Sequence, residues 1–272
     1  HVGSADFERV LREYAARGYG LIFVDAYCNE EKARLVAKQF PDISFMGASD
    51  LGPVEPNFGV FTAWIHEPTY LCGMLAGALT KEGMLPNSNP ENTVGVVGGI
   101  TIPVVNIPVN AYIQGVLDAN PDAKVLVSYI GSFFDPPKAK EAAIAQLEAG
   151  ADLLFADRYG VIEACQNKGA YAFGNMVDQY SLGPDTVITS PTWDMWPTVK
   201  KVVPDVQNGT FQAMDYREWS MMAKGGAHLA PYHNFEDKLP AEVKQMIDKR
   251  IEEIKNGEFR VPIISTAAKP VK

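Results

Sequence analysis

Three aspartates, Asp25, Asp157 and Asp178, stand where short apolar runs end, and paired carboxylates are the groups that acid–base catalysis employs. At the carboxyl end of a parallel strand, however, a carboxylate more commonly accepts a ligand hydroxyl or caps a helix. The four histidines, His1, His66, His228 and His233, form no HxxxH or HExxH pair, so a metal site has no support. No serine lies in GxSxG and no cysteine has a histidine nearby in sequence. Gly98-Gly99-Ile100-Thr101-Ile102-Pro103 closes an apolar run, and its glycines let backbone amides approach a ligand. The segment is neither GxGxxG nor followed by a Walker lysine, and its plain reading is a tight strand-to-helix turn. These residue types supply binding groups without a catalytic set, so neither enzymatic activity nor a cofactor is expected.

The aromatic residues extend this reading. In Phe133-Phe134-Asp135-Pro136, Asp135 is placed to cap a helix that the prolines open, and side-chain alternation lets only one phenylalanine reach a ligand. In Trp193-Asp194-Met195-Trp196-Pro197, which follows Thr189-Ser190, Asp194 is a helix cap or ligand group. Trp193 is a stacking platform ahead of Trp196, with a core position as its alternative.

The elements that must position these groups are legible as alternating helices and strands. Helices are expected at 5–17, 29–39, 64–82, 137–149 and 161–168, and strands at 21–25, 43–47, 94–97, 124–130, 152–156 and 170–174. Gly18 to Tyr27 and Gly150 to Tyr159 match in Gly, Leu, Phe, Asp and Tyr at a fixed offset of 132 residues, so one βα pattern is used twice. Short apolar strands between helices imply parallel sheets covered on both faces, which bind ligands at their carboxyl ends. Those ends carry Asp25 and Tyr27, Ser49 and Asp50, Gly98 to Pro103, Phe133 to Asp135, Asp157 and Tyr159, Asn175 to Gln179, and Thr189 to Asp194.

With 272 residues, two lobes are expected. Pro86-Asn-Ser-Asn-Pro90 suggests a crossing near 91, which gives one lobe of 1–91 and 190–230, a second of 92–189 and 231–272, and a cleft between them. A net charge of -9 argues against nucleic acid as a partner. Cys28, Cys72 and Cys165 read as small buried apolar residues, with one disulfide and a free thiol as the alternative. No apolar run reaches the roughly 18 residues of a membrane span, and no signal peptide is evident, as in a mature exported protein.

Val94-Gly-Val-Val-Gly-Gly-Ile-Thr-Ile-Pro-Val-Val105, Tyr112-Ile-Gln-Gly115, Asn120-Pro121, Ser128 to Pro136 and Gly174-Asn-Met-Val-Asp-Gln179 resemble the basic membrane protein family. These are the purine-nucleoside-type substrate-binding proteins of ABC importers. The resemblance runs in order from Asp6 to about Pro262 and includes Glu67 to Gly73 and Asn208-Gly209. It implies a type I periplasmic-binding-protein fold with three inter-lobe crossings, near 91, 190 and 230. It also implies export to the periplasm or the outer face of the cytoplasmic membrane, in some members as a lipoprotein, with monomeric action and delivery of a small molecule to an ABC permease. The family's N-terminal βα unit, with its Asp-x-Ser-Phe-Asn-like loop, has no counterpart before Asp6, which is expected to expose strand edges.

Tyr27, Gly99 to Pro103, Asp178 and Gln179 map onto the family's site. The full expected ligand set is Tyr27, Asp50, Gly99, Ile100, Phe133, Asp157, Tyr159, Asn175, Met176, Asp178, Trp193 and Asp194. A ring would stack between Tyr27 and Trp193, with Asp157, Asn175 and Asp178 bonding its edge. Where nucleoside binders carry an aspartate for ribose this chain has Met176, and where they carry a lysine after Thr-Ser it has Trp193. Both departures favour a nucleobase or similar flat heterocycle over a nucleoside. A sensor that does not transport, a regulator's effector domain and a nucleoside-processing enzyme remain alternatives.

Overall fold

A computed structural model describes residues 5–81 and 84–272. The chain forms two compact units, one of 1–64 and 194–226 and the other of 65–193 and 227–272, so the backbone passes between them three times. Residues 65–91 therefore group with the second unit, not with the first as the Pro/Asn-rich segment suggests. Proline and asparagine mark a break in regular structure, but the helix before them is a core element of the unit that follows. The later passages fall at 193/194 and 226/227, where expectation put 190 and 230.

In the first unit, α1 (Phe7–Ala16), β1 (Leu21–Asp25), α2 (Glu30–Gln39), β2 (Ser44–Ala48) and β3 (Phe58–Phe61) form a parallel sheet in the order β1-β2-β3. Phe7, Leu11 and Ala15 recur at helical spacing on α1, and Ala33, Val36 and Ala37 on α2, so both helices bury a stripe against Ile22, Phe45, Phe58 and Val60. The other edge of β1 pairs with no described strand, and beside it lies an apolar groove of about 450 Å³ lined by Phe7, Leu11, Tyr14 and Ile22 to Asp25. β3, absent from the sequence-based assignment, is a fully buried run of four residues.

The second unit contains α3 (His66–Leu79), β4 (Thr93–Gly98), α4 (Pro103–Ala119), β5 (Lys124–Tyr129), α5 (Pro136–Glu148), β6 (Ala151–Phe155), α6 (Val161–Lys168), β7 (Tyr171–Phe173), β8 (Val187–Thr189), β9 (Pro191–Trp193), β10 (Ala227–Leu229) and α8 (Ala241–Lys255). Between β9 and β10 the chain passes through the first unit, which holds α7 (Trp196–Gln207). The main sheet is parallel in the order β5-β4-β6-β7-β8, and β9 pairs antiparallel with β10. Every residue of β4 and β6 is buried, as a sheet covered on both faces requires. Leu154 packs with Ala139, Ala143, Val161 and Ala164 of α5 and α6, while Phe155 stacks on Tyr112 of α4 at 5.6 Å.

The expected 64–82 helix spans 66–79, and residue 82 lies outside the described residues. All residues of α3 except Ala78 are buried, as befits a helix apolar around its circumference. It meets α4 backbone to backbone: a Cβ on Gly73 would lie 2.0 Å from the Tyr112 carbonyl oxygen, and one on Gly115 2.0 Å from that of Tyr70. The repeated βα pattern is real in the backbone, since Gly18 (φ +79°) follows α1 and Gly150 (φ +98°) follows α5, each leading into a strand. Cys72 and Cys165 are buried free thiols, whereas Cys28 is exposed. The difference arises because Cys28 occupies a left-handed turn position (φ 63°) after β1 rather than a packed face.

Because the helices cannot part without opening the core, Gly73→Ala is expected to lower stability by about 1–3 kcal/mol or more. Urea unfolding followed by circular dichroism measures this as a fall in midpoint at unchanged slope.

Candidate functional site

In the first unit the strand ends are organised by Glu30, which opens α2. One carboxylate oxygen accepts the Asp50 backbone N–H at 2.9 Å; the other accepts the Ser49 hydroxyl at 2.7 Å and a guanidinium N–H of Arg34. Arg217 reaches the same loop from the unit's second segment, donating to the carbonyls of Ser49 at 3.0 Å and Leu51 at 2.5 Å while pairing with Asp215 at 3.1 Å. The backbone of the Asp50 loop is thus fixed from both sides. The Asp50 carboxyl itself makes no hydrogen bond to a described residue, and burial, with Glu30 adding repulsion against the pull of Arg217, raises it to about 6. Tyr27 shares a hydrogen bond with the Thr62 hydroxyl at the end of β3.

In the second unit the strand ends converge on Asp157, two residues beyond β6. Its side chain accepts the Gly99 backbone N–H at 3.1 Å and the Asn175 amide at 2.9 Å, and lies 3.4 Å from the Arg158 guanidinium. Burial pushes this carboxyl upward, while Arg158, the Gly99 N–H and Asn175 hold it back. The expectation that Asp157 bonds ligand thus meets a carboxylate already engaged by protein donors; it orients Gly99, Arg158 and Asn175.

Above it opens a recess of about 240 Å³ lined by Phe133, Phe134, Arg158, Tyr159, Asn175 and Met176, among others. Both phenylalanines line it, correcting the expectation of one. β5 ends at Tyr129, and the chain then turns through Gly131 (φ 73°), so strand alternation no longer governs 133 and 134. Phe133 carries the Arg158 guanidinium 5.4 Å from its ring centre, and Phe134 meets Tyr159 edge-on at 6.2 Å. Asp135 caps α5 by accepting the Lys138 N–H at 3.2 Å, as its place before two prolines implies. Met176 sits in the left-handed region (φ 67°), and its carbonyl accepts the Trp193 N–H at 3.0 Å, tying β9 to this loop.

The remaining expected residues lie as follows. Ile100 is half-buried in the turn between β4 and α4. Asp178 is held by the Tyr180 N–H at 3.0 Å and by His233 at 2.7 Å, so it shapes the loop rather than facing the recess. Asp194, in the first unit, accepts the Trp196 N–H at 2.7 Å where α7 begins, and Trp196 itself is exposed. Trp193 is half-buried in β9 opposite Ala227. Arg158 was missed by sequence reasoning, because an arginine between Asp and Tyr reads as surface charge. Its only signal was its place at a strand end.

Among the described residues no cluster of His, Cys, Asp or Glu could hold a metal ion, and no helix is long and apolar enough to cross a membrane.

The chain matches the Bmp family, ABC transporter substrate-binding proteins of the PnrA-like type, over residues 2–262. It belongs to that family. It is 29% identical over 257 residues to a purine-binding protein of Brucella abortus, covering 94% of this chain and 69% of that protein. It is also 29% identical over 187 residues to basic membrane protein A of Borreliella burgdorferi, covering 65% of this chain and 52% of that one. A solved ABC transporter solute-binding protein of Conexibacter woesei superposes with a TM-score of 0.72 at 28% identity, over 96% of this chain and 85% of that one. The α/β architecture is accordingly that of type I periplasmic solute-binding proteins, and the family is one of ABC transporter substrate-binding proteins.

The folded protein holds the Asp50 proton more tightly than an unfolded chain with its ordinary value of 3.8. Asp50 therefore favours folding below that pH, and the contribution is lost as pH rises through about 6. Relative to Asp50→Asn, the wild type is expected to lose stability between pH 4 and 7 in denaturant melts, and an NMR titration of the carboxyl should show a midpoint near 6.

Proposed function

We propose that this protein is the solute-binding component of an ABC importer, working as a monomer outside the cytoplasmic membrane. It captures a purine nucleobase or a similar flat heterocycle and delivers it to a permease. The single observation that carries the ligand class is the recess at the strand ends of the second unit: about 240 Å³, walled by Phe133, Phe134 and Tyr159, with few polar groups. Pockets for larger ligands usually run from about 300 to 1,000 Å³, and apolar walls with a few placed polar atoms suit a flat ring. Met176 stands beside Asn175 in that recess, and its thioether offers a ribose hydroxyl no strong acceptor.

In this reading the ring enters the recess against Phe133, Phe134 and Tyr159, and Trp193, tied to the recess through the Met176 carbonyl, supplies a stacking face beside it. The purine-binding relative in Brucella abortus supports the same ligand class.

Calorimetry with nucleobases and nucleosides tests the proposal. A base is expected to bind at least about tenfold tighter than its nucleoside, and Trp193→Ala is expected to weaken it about 10- to 100-fold, which corresponds to about 1–3 kcal/mol of stacking. Unchanged affinity in Trp193→Ala would remove the stacking role, and turnover of nucleosides by the purified protein would replace the binding function with an enzymatic one.

A further inference from the structure

The family match ends at residue 262, and the chain beyond it runs back along the second unit without a hydrophobic anchor: no residue from 262 to 272 is buried, and only Ala268 and Val271 are half-buried. Hydrogen bonds hold it instead. On α4, Asn106 donates its amide to the Ser265 carbonyl at 2.8 Å, and Asn110, one turn on, donates to those of Ile264 at 3.0 Å and Thr266 at 2.8 Å. The Ala268 N–H then donates to the Tyr129 hydroxyl at 3.1 Å, and Val271 exchanges both backbone bonds with Val125 at 2.9 Å, covering the start of the β5 edge.

Tyr129 connects this segment to the recess. It ends β5 opposite Gly98, and its ring lies so close that a Cβ on Gly98 would fall 3.0 Å from it. The next two residues are bonded to the same turn, Ile130 N–H to the Gly98 carbonyl at 3.0 Å and Gly131 N–H to the Gly99 carbonyl at 2.9 Å. Phe133 and Phe134, which line the recess, follow directly. β5 is an edge strand with only β4 beside it, so the loop that leaves it is braced from one side by the sheet and needs a second brace from outside. Resting on the reading of the recess as the ligand site, we infer that residues 263–268 are a strap that positions its Phe133–Phe134 wall, with Tyr129 and Asn110 as the positioning residues.

Covering a sheet edge requires only backbone pairing along the strand, which Val271 supplies. The bonds from 264–268 serve no strand pairing: they go to side chains of α4 and to the side chain of the last residue of β5. A segment held by exposed hydrogen bonds without buried apolar contacts opens at low free energy, so cutting it changes the residues it braces and leaves the core intact.

Hydrogen–deuterium exchange on the full chain, with calorimetry using hypoxanthine and adenine, provides the test. Tyr129→Phe keeps the ring against Gly98 and removes only the hydroxyl that takes the Ala268 N–H; Asn110→Ala cuts the strap at α4. In each variant the amides of 130–134 are expected to exchange at least about tenfold faster while those of β6 keep their wild-type rates. The double variant is expected to exchange no faster there than either single one, because both cut the same strap. Affinity for whichever base the wild type binds is expected to fall about 3- to 10-fold in each. If one variant does not fold, the other decides. Wild-type exchange at 130–134 in Asn110→Ala, acceleration that extends through β6, or unchanged affinity for the base overturns the inference while leaving nucleobase binding intact. Binding of neither base to the wild type overturns the nucleobase reading, and the exchange rates alone then decide the strap.

Discussion

A carboxylate without water around it must be surrounded by donors, and in the second unit Asp157 imposes that condition on three strand ends. The donors are the Gly99 N–H after β4, the Arg158 guanidinium after β6 and the Asn175 amide after β7. Losing one would leave a buried charge short of partners, which costs far more than an exposed ion pair gains. The loops that line the recess are therefore held in register by electrostatics that operate beneath the ligand. The same requirement fixes the orientation of Asn175 and holds Arg158 against Gly99, so the polar character of the recess floor follows from satisfying one acid.

The scaffold beneath that acid is stiff for a different reason. Gly73, Gly77 and Gly115 bring α3 and α4 into backbone contact, and Tyr112 on α4 reaches Phe155 and Phe173 on β6 and β7. Strands buried on both faces have little freedom to shift, because any slip would force large side chains into a close-packed core. The strand ends inherit this rigidity, and the site is placed by packing one layer away from it. In the first unit, side-chain hydrogen bonds from Glu30 and Arg217 do comparable work on the loop that carries Asp50. There the fixed element is a backbone loop, and the ionisable group it carries is left to respond to its surroundings.

Much of this was legible as pattern. Apolar runs between helical stripes located β1, β4, β5, β6 and β7, and the shared Gly-Leu-Phe-Asp-Tyr spacing marked Gly18 and Gly150 as left-handed helix ends. Asp135 before two prolines was readable as a cap because capping involves neighbours in sequence. β3 escaped because four buried apolar residues carry no periodicity that separates a strand from any other core segment. The unit boundary escaped as well, since a break in regular structure at Pro86 to Pro90 says nothing about which core the preceding helix joins.

The candidate site divides along the same line. Tyr159, Asn175, Met176 and Trp193 were named from their positions at strand ends, because a parallel sheet sends its carboxyl ends to one side whatever the side chains are. What Asp157 and Asp178 do was decided by distant partners, Gly99 with Asn175 for the first and His233 for the second. Arg158 gained its place from a glycine 59 positions earlier in the chain. The sequence by itself determined which elements form and which residues stand at their ends, because periodicity, capping and turn geometry act over a few residues. Only the tertiary structure decided which polar groups are spent on each other, because hydrogen bonds are shared out among atoms that meet only when the sheet is assembled.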